Sequence, residues 1–156
     1  IIMKNKIKQI LFPIHPLSNI DIEEYFRINK INGLVRPRDK MPSTLKPNSC
    51  IIINLEEMGQ SGSHWVCAVN SKKENKILFY DSYGVEFAPQ EFLDMNHKKK
   101  IVANNSQHQK IGSVLCGYYC LKICKSILKD KMSYLDTMKQ FSDTPSDNNA
   151  DMADNL

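Results

Sequence analysis

The feature that most limits how this chain can fold is a pair of strand-like runs, residues 64–70 and 77–82, on either side of the polar stretch 71–76. Apolar and β-branched runs bounded by turn residues read as strands, and a short polar link joins them as a β-hairpin. Hairpin register then decides which side chains share a face, because side chains alternate along a strand. With Asn70 opposite Ile77, Asp81 lies opposite Val66, and His64 sits two residues further along on the same face. Diagonal neighbours of this kind are roughly 7–8 Å apart at the backbone, within reach of a His–Asp side-chain contact. A slip of one residue would put the two on opposite faces.

The rest of the chain surrounds this hairpin with further strands and with helices. Residues 50–55, rich in Ile, read as a buried strand, and residues 101–104 as another. Residues 18–31 read as a helix capped at Ser18 or Asn19, with Ile22, Tyr25, Phe26 and Ile28 as its inward side chains. A helix is expected from Cys116 to 128 and a second over 134–141. Residues 1–16 are expected as an arm or short strand, and 33–47 and 59–63 as loops. Residues 142–156 hold four Asp and no Lys or Arg, which predicts an acidic, poorly ordered tail, with short packed stretches within it as the alternative. Helix, strand block and helices in that order predict an α+β fold with helices packed on a mixed or antiparallel central sheet. The 156 residues suit one domain, placed at 1–141 ahead of the tail.

Composition sets the surroundings. The net charge of +4 is mild; it permits weak attraction to nucleic acid without demanding it. Five Cys at uneven spacing (50, 67, 116, 120 and 124) argue against a disulfide framework. No signal-peptide pattern is visible, since Lys4, Lys6 and Lys8 break the apolar N-terminal stretch, and no apolar run approaches the ~20 residues needed to span a bilayer. A reducing intracellular setting with free thiols and no membrane partner is the expectation. Cys116, Cys120 and Cys124 recur every four residues, which fits a buried stripe better than a zinc site, so no metal is expected.

Three residue types then point to nucleophilic catalysis. Cys116 follows a Gly-containing loop and opens a helix. A thiol there feels the positive end of the helix dipole, and the unpaired N–H groups of the first turn can bind an oxyanion. Alone, Cys116 reads more readily as a buried apolar Cys, His64 as a structural histidine and Asp81 as a turn residue. Together they form a triad in which Asp81 orients His64 and His64 takes the Cys116 proton. All four His precede Cys116, which excludes the papain-like order, and the chain offers too few strands for the two barrels of a chymotrypsin-like protease.

Gly62-Ser63-His64-Trp65, then Phe79-Tyr80-Asp81-Ser82-Tyr83-Gly84, then Gln109 seven residues before Cys116-Gly117, resembles the adenovirus maturation protease. It also resembles the wider clan that holds the SUMO-specific proteases. The seventeen residues from His64 to Asp81, the seven from Gln109 to Cys116 and the presence of Cys120 match the adenoviral pattern over roughly residues 50–128. The resemblance implies that Gln109, in preference to the nearby Gln107, donates its amide to the oxyanion beside the Cys116 N–H. It implies that Trp65 narrows the substrate groove so that small residues such as Gly pass, with Gly117 as a further substrate-binding residue; core packing is the other reading of Trp65. Three positions depart from the pattern. The acid is Asp81, as in the SUMO proteases, where the adenoviral enzyme has Glu. Leu115 stands where the SUMO proteases carry Asp. Lys100 aligns with the adenoviral Cys that tethers a peptide cofactor, which speaks against a covalently held one.

The resemblance implies a cysteine endopeptidase, acting as a monomer on capsid or core precursors in the virion and the infected host cell. The rivals are a ubiquitin-like-protein deconjugase and an inactive protein-binding module on the same fold. No cofactor is required by the sequence. The adenoviral enzyme uses DNA and a peptide as activators, so Lys98, Lys99 and Lys100 are candidate DNA contacts; a solvated basic loop is the alternative.

Overall fold

The computed structural model describes residues 2–56, 64–84 and 88–156. Its centre is a five-stranded mixed sheet of β1 (Gly33–Pro37), β2 (Ser49–Asn54), β3 (Trp65–Asn70), β4 (Lys76–Tyr80) and β5 (Lys100–Ala103), ordered as numbered. The pairs β2–β3 and β3–β4 are antiparallel, while β1–β2 and β4–β5 are parallel. Both faces are covered, so β2 reads as a continuous apolar run instead of an alternating one. Cys50, Ile52, Cys67, Val69, Leu78 and Tyr80 face one cluster, built with the large helices. Ile51, Ile53, Val66, Ala68, Ile77 and Phe79 face a smaller one with Leu45, Phe92 and Met95.

The expected hairpin register holds: Cys67 pairs with Tyr80, Ala68 with Phe79 and Val69 with Leu78. Continued outward, that register sets Asp81 against Val66. Helix α2 (Asn19–Asn29) also follows expectation. Ser18 forms a reciprocal capping box with Asp21, and Ile22, Tyr25, Phe26 and Ile28 are buried. The cap contributes about 1 kcal/mol. Each buried side chain contributes roughly 1.5–3 kcal/mol, so packing fixes the helix more than its cap does.

Several stretches depart from expectation. Residues 2–11 form a helix, α1 (Ile2–Leu11), in place of an arm or short strand. The alternating lysines masked a helical period in Ile7, Ile10 and Leu11, which pack on the core, and the chain turns away at Pro13. Within 33–47 the expected loop contains β1, an edge strand that tolerates Pro37 at its end. Gly33 is required there, because a Cβ would lie 2.4 Å from the Phe26 ring. The helix from Cys116 divides into α4 (Cys116–Cys124) and a π-helical turn (Lys125–Lys129); the next, α5, is Tyr134–Met138, shorter than the expected span. A four-residue helix, α3 (Gln90–Leu93), precedes β5. Finally, the segment expected as a poorly ordered tail carries a packed stretch, α6 (Pro145–Met152), with Asn148 and Met152 buried. Its acidic residues face outward, and only a few inward contacts hold it, too sparse a pattern to read as a helix in the sequence. The loop expected at 59–63 lies outside the described residues.

Candidate active site

Cys116 is the first residue of α4 and is 6% exposed. The cap position is Leu115, which offers no side-chain acceptor to the first-turn N–H groups. An apolar residue there costs the helix a cap and leaves those donors for another acceptor. The Trp65 backbone N–H donates to the Cys116 sulfur at 3.4 Å, so the end of β3 is docked against the start of α4. The structure therefore puts the thiol at the helix terminus read from the sequence, with free first-turn donors around it.

His64, just before β3, places Nε2 2.8 Å from Asp81 Oδ1. Cys116 is the second group that acts on the ring, and like Asp81 it favours the protonated form. Asp81 is 1% exposed, and its carboxylate also accepts the Tyr83 N–H at 3.0 Å. Asn104 holds the backbone beneath it twice, accepting the Asp81 N–H at 2.9 Å and donating to the Asp81 carbonyl at 2.6 Å. Burial alone would push the His64 pKa down, but the bonds and charges of Asp81 and Cys116 outweigh it and raise the value to about 9. Tyr83 stacks on the imidazole at 4.9 Å and 21°, a geometry that favours a cationic ring.

Gln109 is fully buried, whereas Gln107 is exposed. The turn after Asp81 holds the Gln109 segment, because the Ser82 carbonyl accepts the N–H groups of both His108 and Gln109. That turn needs Gly84: its φ is +69°, and a Cβ would lie 2.5 Å from the Ser106 carbonyl oxygen. Ser82 Oγ donates to Gln109 Oε1 at 2.5 Å, fixing which end of the amide points onward. Gln109 Nε2 then donates to Ser113 Oγ at 2.8 Å, to the Ser113 carbonyl at 3.0 Å and to Tyr83 Oη at 3.3 Å. The long contact to Tyr83 is the weakest of the three. It is the one an incoming oxyanion would replace at least loss.

Trp65 donates its indole N–H to the Leu17 carbonyl at 2.9 Å. Gly117 lies in the same corner: a Cβ there would meet Leu17 at 3.2 Å and the Trp65 ring at 3.4 Å. Leu17, Trp65 and Gly117 thus form one wall beside Cys116.

No family model matches the chain, and no curated protein matches it. Solved structures do. The ASFV pS273R protease aligns with a TM-score of 0.56 at 17% identity over 88% of this chain and 66% of that one. The SUMO protease Ulp1, with its catalytic cysteine oxidised to a sulfinic acid, aligns with a TM-score of 0.53 at 15% identity over 92% of this chain and 83% of that one. The fold is that of the Ulp1-like cysteine proteases. This chain therefore spans just under two thirds of the ASFV protease.

Of the three lysines offered as candidate DNA contacts, Lys99 has other partners in this fold. Lys99 Nζ donates to Asn70 Oδ1 at 2.7 Å, to the Ser71 carbonyl at 3.0 Å and to the Glu74 carbonyl at 2.9 Å. All its donors serve the β3–β4 turn, so Lys99 is structural, while Lys98 and Lys100 are exposed. Lys99→Ala should lower stability by about 1–3 kcal/mol, read by urea titration, whereas Lys98→Ala and Lys100→Ala should stay within about 0.5 kcal/mol. Equal effects at all three positions would refute the assignment. Cys120 and Cys124 are buried with Cys50 and Cys67, as a stripe of free thiols should be. Among the described residues no group of three His, Cys, Asp or Glu could hold a metal ion, and no helix is long and apolar enough to cross a membrane.

Sequence reasoning missed Leu17, Ser82, Tyr83, Asn104 and Ser113 as parts of the site. Tyr83 and Ser82 lie beside Asp81 in a motif already quoted, so proximity was a usable signal. Asn104 acts across 23 residues and Leu17 across 48, and no local pattern marks such contacts.

Proposed function

We propose that this chain is a cysteine endopeptidase. The observation that carries the reading is His64 hydrogen-bonded to buried Asp81, with Cys116 at an uncapped helix start docked by its sulfur against the N–H of the next residue, Trp65. The Cys116 sulfur, its proton passed to His64, attacks the substrate carbonyl carbon and forms a tetrahedral adduct. The first-turn N–H groups of α4 and the Gln109 amide receive the oxyanion. The His64 imidazolium gives its proton to the leaving amine as the C–N bond breaks, leaving a thioester on Cys116. Water, deprotonated by His64, then hydrolyses the thioester and restores the thiol. The wall of Leu17, Trp65 and Gly117 favours small residues beside the scissile bond.

The substrates we propose are capsid or core precursors cleaved during maturation of a virus-like particle, in line with the structural likeness to the ASFV protease. A second reading, release of a ubiquitin-like protein, draws on the 83% of the Ulp1 chain that this one covers. A peptide-cleavage profile of wild type and Cys116→Ala tests both. Cleavage within precursor sequences supports the first, and cleavage after a terminal Gly-Gly alone supports the second. Gln109→Ala should lower kcat by on the order of 10²–10³ with little change in KM. Full activity in Gln109→Ala, with the loss appearing instead in Gln107→Ala, would refute the role given to Gln109.

A further inference from the structure

Helix α6 is attached in an unusual way. Of its eight residues only Asn148 and Met152 are buried, so an apolar face is not what seats it. Two of its polar side chains reach the segment around Gln109, and Asn148 also bonds Ser142. Asn148 Nδ2 donates to the His108 carbonyl at 3.1 Å and to the Ser142 carbonyl at 2.9 Å, while its Oδ1 accepts the Ser142 N–H at 2.8 Å. Asn149 Oδ1 accepts the Lys110 N–H at 3.2 Å and the Tyr119 hydroxyl at 2.7 Å. Tyr119, three residues beyond Cys116 on α4, also reaches the His108 carbonyl at 3.1 Å. The backbone is thus gripped on both sides of Gln109, at His108 and at Lys110, by consecutive residues of α6.

The His108 ring completes the clamp. It stacks on Phe141 at 4.3 Å and on Tyr80 at 5.7 Å, with Nδ1 2.9 Å from Tyr80 Oη. Burial holds it neutral by lowering its pKa to about 4. Gln109 has no freedom of its own to correct a displaced backbone, because Ser82 and Ser113 hold both ends of its amide. The 108–110 backbone, held by the Ser82 carbonyl on one side and by α6 on the other, therefore sets where the amide is delivered relative to Cys116.

We propose that Asn148 and Asn149 are positioning residues for the oxyanion site, and that Tyr119 links them to the helix that carries Cys116. The proposal rests on the reading of Gln109 as an oxyanion donor. Donors of this kind act only when close to the place where charge develops, and a misplacement of about 1 Å can cost as much as 10²-fold in rate.

The two Asn differ in what they supply, and that gives a signature. Asn149 acts as an acceptor, so Asn149→Asp keeps its bonds. Asn148 must donate to His108, so Asn148→Asp does not. Asn149→Ala and Asn148→Asp should each lower kcat by roughly tenfold with KM nearly unchanged, while Asn149→Asp stays near wild type. Affinity for a peptide aldehyde, whose adduct with the thiol carries the same oxygen, should fall by the same factor. Alkylation of Cys116 by iodoacetamide, which forms no oxyanion, should proceed at the wild-type rate. Should either variant fail to fold, Tyr119→Phe, which removes one hydroxyl from the same junction, should give the same split by several-fold. Loss of alkylation in step with kcat would reduce α6 to a general structural support and overturn the proposal. So would wild-type turnover in all of these variants. A wild-type protein that cleaves no peptide would instead remove the protease reading itself, and this proposal with it.

Discussion

Cys116→Ala should lower kcat by on the order of 10⁵–10⁶, because a triad acts as a unit and fails with its nucleophile. Thermal unfolding should hardly move. The side chain is small, and the bond it makes with the Trp65 N–H is worth about 1 kcal/mol. His64→Ala should be as inactive but is the poorer control. It removes the imidazole partner of the buried Asp81 carboxylate, and taking one partner from a buried charged pair costs about 3–5 kcal/mol. Loss of activity in that variant would mix chemistry with unfolding. A fluorogenic peptide assay paired with a circular-dichroism melt separates the two. Cleavage by Cys116→Ala at the wild-type rate would end the cysteine-protease reading, whatever the fold resembles.

What the sequence could reveal divides along the range of the interactions. The β3–β4 hairpin was legible because its turn and its alternation are local, and its register alone brings His64 to Asp81. The start of α4 was legible because a Gly-containing loop gives way to a helical period at Cys116. Helix α1 was not, since three lysines at alternate positions imitate a strand while Ile7, Ile10 and Leu11 make the contacts that matter. Strand β1 hides for a different reason: it gains its partner across the sheet from β2, and nothing within Gly33–Pro37 advertises the pairing. Helix α6 was not legible within the acidic tail, because it is held by two asparagines reaching 40 and 39 residues back to His108 and Lys110. Hydropathy is blind to that kind of attachment. Lys99 makes the converse point, since a basic run suggested a surface for nucleic acid while its middle ammonium is turned inward to a hairpin.

Asp81→Asn should cost between about two and four powers of ten in kcat, without moving the backbone. The backbone stays because Asn104 holds it from both sides and the turn through Gly84 is unaffected. The charge and the tautomer are what change. Asp81 Oδ1 fixes a proton on Nε2 and leaves the opposite nitrogen to take the thiol proton. An amide that turns its NH2 toward the ring imposes the other tautomer, and one that keeps its oxygen there no longer stabilises an imidazolium. The pH profile distinguishes this from a loss of packing. Asp81 and Cys116 together lift His64 from its ordinary 6.5 to about 9 against the pull of burial. The protonated ring that serves the leaving amine is therefore lost only as pH rises through about 9, and the alkaline limb of kcat/KM should fall there in the wild type. Removing the carboxylate lowers that pKa, so the limb should move to lower pH in Asp81→Asn, as a property of the coupled Cys–His pair. Stability follows the same sign. A raised histidine pKa stabilises the fold fully below 6.5 and loses that contribution as pH climbs toward 9, so the fall in melting temperature across this window should flatten in the variant. An alkaline limb that stays in place when Asp81 becomes Asn would mean that the carboxylate does not govern His64, and the triad would reduce to a Cys–His pair with a buried acid beside it.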